Sequence, residues 1–177
     1  MTSPSEFETT PLTPGDIPWV VQLLEEHWGS SLIVTRGNQY DASQLPGFKA
    51  TVDCSPVGLL TYRIENQACE IVSLNSLINN LGIGSALLNA VREDALNAGC
   101  QRLWLITTND NLPALHFYQK RGFRLVSVYP NALNESRKIK PTIPLIGLDG
   151  IPLRDEIELE MQLHNSFTRW GRHPGRD

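Results

Sequence analysis

The stretch NNLGIGSALL, residues 79–88, places two glycines one residue apart at the start of a helical pattern. Glycine inside a helix or strand costs about 0.5–1 kcal/mol relative to alanine, so using it twice here needs a reason. One reason is that a ligand must approach the backbone closely, because the first N–H groups of a helix are unpaired and attract anions. The other reason is that the turn itself requires glycine. Both explanations remain open at this point.

Three strand-like runs precede this turn, and the short connections between them predict an antiparallel meander. The runs are FKATVD from residue 48, VGLLTYRI from residue 57 and ACEIVSLNSL from residue 68. The glycine turn then opens a helix over 82–98, which Gly99 is placed to end.

The chain continues with alternating strands and helices. RLWLIT, from residue 102, is apolar on both faces and is predicted to be a central strand. ALHFYQKR, from residue 114, follows Asp110 and Asn111, either of which can cap a helix. FRLVSVY, from residue 123, and DEIELEMQL, from residue 155, are further strands. Together with the meander they predict a mixed α/β (α+β) sheet with one parallel pair of neighbouring strands.

The outer segments set the predicted domain limits. GDIPWVVQLLEEHWG, residues 15–29, has helical spacing of its apolar residues, whereas 30–46 is predicted to be irregular. Residues 129–154 form a long polar insert between the last two strands, and such long segments are mostly functional or disordered. We expect a single domain over 1–163 and a mobile tail over 164–177.

Composition and charge exclude several classes of protein. The 177 residues carry a net charge of −4, which argues against a nucleic-acid partner held by phosphate contacts. Ten of the 15 lysines and arginines lie in residues 120–177, so an anionic ligand would find its cations there. The three cysteines have no C-x-x-C spacing, which predicts no metal site and a reduced, cytoplasmic protein. We expect no signal peptide, because the first residues, MTSPSEFETTPLTPG, have neither a basic start nor an apolar core. We expect no membrane helix, because no apolar run approaches about 18 residues.

Two motifs, in this order, resemble the GNAT superfamily of acetyl-CoA-dependent N-acetyltransferases. The family's phosphate loop reads Arg/Gln-x-x-Gly-x-Gly/Ala; Gly82 and Gly84 match it, and Asn79 departs from its first position. The second motif, Asn-x-x-Ala-x-x-Phe/Leu-Tyr-x-x-x-Gly-Phe, is matched at each of its defined positions: Asn111, Ala114, Phe117, Tyr118, Gly122 and Phe123. The resemblance implies the GNAT fold, with a parallel strand pair that splays apart, over roughly residues 10–128 and the strand at 155–163.

The resemblance also implies acetyl-CoA as cosubstrate, without a metal. The pantetheine arm would lie along the third strand of the meander, and the pyrophosphate would bind the backbone at the glycine turn. The implied cofactor-binding residues are Leu74, Asn75, Ser76, Leu77, Asn80, Leu81, Gly82, Ile83, Gly84, Ser85, Asn111, Ala114 and Phe117. Because a phenol has a pKa near 10, Tyr118 can donate a proton to the leaving thiolate, as the resemblance implies. Glu70 is the candidate base, acting through water.

The resulting hypothesis is acetyl transfer to a primary amine by direct attack through a tetrahedral intermediate. The acceptor is a small molecule or a protein amine, and a homodimer is possible. Alternatives are an acyltransferase using another acyl-CoA and a non-catalytic acetyl-CoA sensor, which an intact Tyr118 disfavours. A Rossmann-type nucleotide site is disfavoured because Leu87 stands where G-x-G-x-x-G needs its third glycine.

Charged residues of the second half add candidates for the acceptor side. Arg137, Lys138 and Lys140 could contact an anionic acceptor or the cofactor's 3′-phosphate, or form plain surface charge. Glu156 and Glu158 could attract a cationic amine, or lie on a solvated strand face.

Overall fold

The computed structural model describes residues 6–163, so the predicted mobile tail at 164–177 lies outside the described residues. Short 3₁₀ turns span Pro14–Asp16, Ala42–Gln44 and Leu148–Gly150. The strands and α-helices, in chain order, are β1 (Glu8–Pro11), α1 (Ile17–Trp28), β2 (Leu32–Thr35), β3 (Asn38–Asp41), β4 (Gly47–Val52), β5 (Ser55–Glu65), β6 (Ala68–Ser76), α2 (Ile83–Asn97), β7 (Arg102–Thr108), α3 (Leu112–Gln119), β8 (Arg124–Tyr129), α4 (Ala132–Ile139) and β9 (Glu156–Gln162).

One seven-stranded sheet organises the described residues, in the order β1-β4-β5-β6-β7-β9-β8. The pairs are antiparallel except for β6 and β7, which are parallel. This confirms the predicted mixed α/β fold with an antiparallel meander and one parallel pair. The position of β7 between β6 and β9 also confirms that RLWLIT is a central strand.

Helices cover the two faces of the sheet. On one face, α2 buries Ile83, Leu87 and Val91 among strand residues, and the approach is close because Gly58 of β5 has no Cβ. A Cβ on Gly58 would lie 2.5 Å from Ile83 Cγ2. On the other face, α1 buries Val20 and Leu24 in a second, smaller apolar cluster. The two faces of the sheet therefore have separate apolar cores, and a site between β6 and β7 borders both of them.

The prediction that residues 30–46 are irregular is wrong. Leu32–Thr35 and Asn38–Asp41 pair as an antiparallel hairpin, and Ala42–Gln44 forms a 3₁₀ turn. Arg36 and Gly37 both have positive φ, at 50° and 72°, as the tight turn of a two-residue hairpin requires. The run LIVT has strong strand propensity, but it is only four residues long and stands among turn-forming residues.

The insert between β8 and β9 contains more regular structure than the sequence predicted. Helix α4 begins after Asn131, which adopts a left-handed φ of 59°, and it buries Leu133 and Ser136. The insert then doubles back, with Leu153 N–H donating to the Leu145 carbonyl at 2.9 Å. The helix is only eight residues long, which is shorter than the 11–18 residues over which helical spacing of apolar residues can be recognised.

Candidate active site

The strands β6 and β7 separate partway along their length. They pair over four residues only, from Ala68 opposite Arg102 to Ile71 opposite Leu105. The register of β6 against β5 shifts at this point, leaving Val72 as an extra residue, and such a bulge bends its strand. Beyond Ile71, β6 continues along β5 while β7 continues along β9, so the facing edges of β6 and β7 are unpaired there.

A cleft of about 100 Å³ lies at this separation, on the α1 side of the sheet. Trp28, at the end of α1 and 42% exposed, lines it and donates from Nε1 to Asn75 Oδ1 at 3.0 Å. Its apolar walls are Ile33, Val34, Ile71, Val72, Ile106 and Leu133. Its polar lining includes Thr35, Glu70 and Glu156, so five distant segments of the chain build the cleft.

Glu70 lies in the cleft wall and is 3% exposed. It accepts a hydrogen bond from Arg63 Nε at 2.6 Å, so its charge has a counter-ion. Burial raises the pKa of the Glu70 carboxyl above its ordinary value, and the Arg63 pairing opposes that rise. Glu70 also borders a neighbouring pocket of about 310 Å³, together with Arg102 and Trp104.

Glu156 and Glu158 are both buried, which excludes the solvated face that the sequence left open. The Glu158 carboxylate accepts from Arg102 Nη1 at 3.0 Å and from the Tyr129 hydroxyl at 2.6 Å. Glu156, 2% exposed, accepts from the backbone N–H of Arg36 at 3.1 Å and from Ser136 Oγ at 3.4 Å. Burial raises the pKa of Glu156 above its ordinary value.

Tyr118 lies on the opposite side of the sheet from Glu70. It packs edge-on against Phe117 and Phe123, with ring centroids 5.1 and 5.2 Å away, in the same core cluster as Ile71 and Leu105. Burial raises the pKa of the Tyr118 phenol above its ordinary value, and the charge of Arg121 opposes this only in part. The phenol is therefore protonated at neutral pH, as a proton donor must be. The structure places Tyr118 and Glu70 on either side of the strand separation.

The two glycines before α2 have different structural reasons. Gly82 has a φ of +82°, a conformation that side chains with a Cβ adopt at a cost, and it follows Asn80 with a φ of 61°. A Cβ on Gly84 would lie 3.1 Å from two carbons of the Phe117 ring. The turn thus requires glycine at 82 and the packing favours it at 84. The first N–H groups of α2 still have no partner within the helix.

The remaining residues implied by the resemblance are distributed around this turn. Asn111 caps α3, its side chain accepting from the Ala114 N–H at 3.2 Å, as the sequence predicted. Leu74 and Leu81 pack against the α2-side core, whereas Ser76 and Leu77 are exposed at the end of β6. The structure brings the glycine turn, the end of β6 and α3 to one region.

Arg121 is a site residue that the sequence analysis missed. Its Nε and Nη2 donate to Ser85 Oγ at 3.0 and 2.8 Å, in the first turn of α2, and its guanidinium lies 3.6 Å from the Phe117 ring centroid. Lys120 and His116 border the same open depression. The signal was present in QKRGF, residues 119–123, as two cations inside the second motif.

The cations of the insert are bound within the protein instead of facing a ligand. Arg137 donates to the carbonyls of Ile143, Pro144 and Leu153. Lys140 Nζ donates to the carbonyls of Trp28 and Leu32, and Lys138 pairs with Glu135. A role for Arg137 and Lys140 in binding an anionic acceptor is therefore not supported, because their donors hold the insert against the domain.

Among residues 6–163, no group of three or more His, Cys, Asp or Glu side chains is arranged to hold a metal ion. No helix in that range has both the length and the apolar composition needed to cross a bilayer.

Comparison with known proteins identifies similar sequences. The family model described as the acetyltransferase (GNAT) family matches residues 19–123. The uncharacterized protein YdhI of Bacillus subtilis (strain 168) is 46% identical over 133 residues, which is 75% of this chain and 83% of that protein. Because YdhI is an uncharacterized protein, this similarity supports a common family but indicates no particular reaction.

Solved structures show the same fold. The IAA acetyltransferase from Bacillus cereus ATCC 14579 superposes with a TM-score of 0.66 at 22% identity, covering 89% of this chain and 100% of that one. A GNAT family acetyltransferase from Elizabethkingia anophelis, with acetyl-CoA bound, gives a TM-score of 0.64 at 24% identity, covering 89% of this chain and 98% of that one.

Proposed function

Since this chain belongs to the acetyltransferase (GNAT) family, we propose that it moves an acetyl group from acetyl-CoA to a primary amine. Family membership makes the chain an acyltransferase. The choice of acetyl group, the amine acceptor and the residue roles below are the proposal. The acetyl-CoA bound to the similar Elizabethkingia protein supports the choice of cosubstrate.

The separation of β6 and β7 beside the start of α2 is the observation that carries this proposal. The unpaired edge of β6 offers backbone groups to the amides of a pantetheine arm, as an additional strand would use them. Leu74, Asn75 and Ser76 contribute this edge, whereas Leu77, the next residue, donates its N–H to the Val57 carbonyl at 2.8 Å. A thioester carried there would reach the point where the two strands part, next to Ile71 and Leu105.

The start of α2 would hold the pyrophosphate. Backbone N–H groups from Asn80 to Ser85, together with the positive end of the helix dipole, attract an anion. Ala114 and Phe117 of α3 complete this side, because Phe117 already packs on Gly84. Arg121 and Lys120 add the positive charge that an acidic protein needs at a phosphate site.

The chemistry would proceed at the strand separation. The neutral amine nitrogen attacks the thioester carbonyl carbon, and the C–S bond breaks as the tetrahedral intermediate collapses. Tyr118, which is protonated at neutral pH, gives its proton to the leaving thiolate. Glu70, through a water, removes the proton that the amine loses. Its pairing with Arg63 stabilises the ionised form that a base requires.

A thiol-release assay with acetyl-CoA and a panel of primary amines tests the proposal. We expect Tyr118→Phe to lower turnover by about 10²–10⁴-fold, the usual contribution of one acid or base, while acetyl-CoA binding by calorimetry is unchanged. Tyr62→Phe is the matched control, because Tyr62 is a buried tyrosine of the same core whose hydroxyl bonds Asp94 instead.

Three results would separate the alternatives. Acetyl-CoA binding without turnover of any amine would indicate a sensor and contradict the proposed reaction. Faster thiol release from another acyl-CoA than from acetyl-CoA would show that the acyl donor is not acetyl-CoA. Full turnover by Tyr118→Phe would remove the proton donor from the account. A cytoplasmic location and a homodimer stay predictions from the sequence.

A further inference from the structure

Glu156 differs from the other buried carboxyl groups near the strand separation. Glu70 pairs with Arg63, and Glu158 pairs with Arg102. Within residues 6–163, no side-chain nitrogen of a lysine, arginine or histidine lies within 4.0 Å of the Glu156 carboxyl oxygens. Buried charges in proteins are normally paired or bound to a ligand. A carboxyl group that is 2% exposed and lacks a counter-ion therefore calls for a cationic partner.

The surroundings of Glu156 do not supply that cation. Arg36 contacts the carboxyl group through its backbone N–H at 3.1 Å. Its guanidinium is exposed and stacks 3.3 Å from the Tyr129 ring centroid, so its charge lowers the pKa of Glu156 without contacting the carboxyl group. Ser136, also buried, donates a neutral hydroxyl at 3.4 Å. These neutral bonds hold the carboxyl group in place and leave it without a counter-ion in direct contact.

A second polar atom in the same cleft lacks a partner. Thr35 Oγ1 is buried and makes no hydrogen bond, which holds for no other buried side-chain oxygen or nitrogen among the described residues. Thr35 lines the cleft and directly precedes Arg36, whose N–H bonds Glu156. An ammonium group has three N–H donors, so it can satisfy a carboxylate and a hydroxyl together.

The charge of the whole lining points the same way. In the part of the chain that the structure describes, the cleft is lined by two carboxyl groups and by no lysine, arginine or histidine. The rest of the wall is largely apolar, which suits the carbon chain of a small amine. A ligand carrying a carboxylate next to its amine would find no cation to pair with.

We propose that Glu156, assisted by Thr35, binds the acceptor as an ammonium group, which gives one proton through water to Glu70 before the neutral nitrogen attacks, and that the acceptors are amines without an adjacent carboxylate. This inference rests on the proposed function, because it names the acceptor class of the same site. Glu156 acts here as a specificity-determining residue, and α-amino acids are excluded as acceptors.

Binding of three small probes tests the proposal without any turnover. The full-length protein is titrated by NMR with n-butylammonium, with 1-butanol, its neutral isostere, and with 2-aminopentanoate, which adds a carboxylate beside the amine. We expect butylammonium to bind at least about tenfold more tightly than the other two, the effect of one charge-assisted contact. Equal binding of butylammonium and butanol, or no saturable binding of butylammonium, would overturn the proposal.

Variants identify the residue responsible. Glu156→Gln should abolish the preference for butylammonium, whereas Glu135→Gln, the same charge change on the exposed face of α4, should retain it. Thr35→Val removes the unpartnered hydroxyl with little change of shape, so it should fold normally and weaken butylammonium binding several-fold without affecting butanol. Unchanged preference in Glu156→Gln and Thr35→Val would overturn the assignment.

The same data keep the two proposals distinct. If butylammonium shows the Glu156-dependent preference but no amine is acetylated, the proposed reaction fails and the cation site stands. If amines are acetylated and Glu156→Gln leaves the KM for a cationic acceptor unchanged, the reaction stands and the cation site fails.

Discussion

At the scale of single residues, Gly82 and Gly84 show how one Gly-x-Gly tripeptide can combine two constraints. Gly82 occupies a left-handed conformation at the N-cap of α2, and Gly84 lies against the Phe117 ring. The presence of glycine at each of these two positions can therefore be explained without a ligand. The open N–H groups at the start of α2 are a consequence of the same geometry, so structure and the proposed phosphate binding favour the same residues.

Gly82→Ala tests the conformational reason. Because alanine is strained at a φ of +82°, we expect this variant to lower the free energy of unfolding by about 1–2 kcal/mol, measured by urea denaturation. Gly15→Ala is the control, because Gly15 has no positive φ. A Cβ added at Gly15 would have Thr13 Oγ1, at 3.7 Å, as its nearest neighbour. Equal stability of Gly82→Ala and the wild type would contradict the strain argument.

Glu156 makes stability depend on pH with a defined sign. Its pKa is raised in the folded protein above 4.5, so the folded state binds this proton more tightly than the unfolded state. The contribution is fully present below about pH 4.5 and is lost as pH rises through the raised pKa. Glu156→Gln does not titrate, and its amide oxygen can still accept from Arg36.

Comparing the unfolding free energies of Glu156→Gln and the wild type between pH 4 and pH 8 isolates this group. We expect the difference to shift in favour of the variant as pH rises, by about 1.4 kcal/mol for each unit by which the pKa is raised. A difference independent of pH would show that the carboxyl group titrates normally. A loss of activity together with a gain of stability would fit a residue kept for function.

At the scale of elements, helix ends were easier to predict than short strands. Gly99 follows α2 with a φ of 77°, at the position where the sequence predicted that the helix ends. Gly29 and Gly122 follow α1 and α3 with φ of 74° and 93°. The β2–β3 hairpin and α4 were not predicted. Each is short, and each is stabilised by contacts with distant residues, such as the bond from Arg36 N–H to Glu156.

Arg137 fastens the insert after α4. Its guanidinium donates to three carbonyls from two passes of the chain, at Ile143, Pro144 and Leu153. Lysine cannot reproduce this fork. Replacing Arg137 leaves the three carbonyls without this donor.

We expect Arg137→Met to lower the free energy of unfolding by about 1.5–3 kcal/mol, and to speed hydrogen exchange at the Gly147 and Leu153 amides. Both amides donate within the insert, at 2.8 and 2.9 Å. Lys138→Met removes only an exposed pair with Glu135 and should cost less than about 0.5 kcal/mol. Equal exchange rates in the two variants would show that Arg137 does not hold the insert.

At the scale of the whole molecule, the sequence predicted the architecture and one half of the candidate site. The alternation of strands and helices determines the sheet, and two contiguous motifs carry the α2 turn and Tyr118. The acceptor side could not be predicted in the same way. Trp28, Thr35, Glu70 and Glu156 come from four elements far apart in sequence, and only the folded sheet brings them together.

The separation of β6 and β7 also could not be predicted from the sequence. The parallel pair follows from topology, but the bulge at Val72 that parts β6 from β7 depends on pairing with β5. No local residue pattern signals it. Arg121 is intermediate: its charge was visible in the sequence, and its position over Ser85 required the approach of α3 to α2.

The most direct measurement is a ¹H–¹⁵N amide titration of the protein with coenzyme A. The account predicts saturable shifts that are largest at the amides of Gly82, Ile83, Gly84 and Ser85, with a second group along Leu74–Leu77. Absence of saturable shifts, or shifts concentrated away from the start of α2 and the free edge of β6, would contradict it.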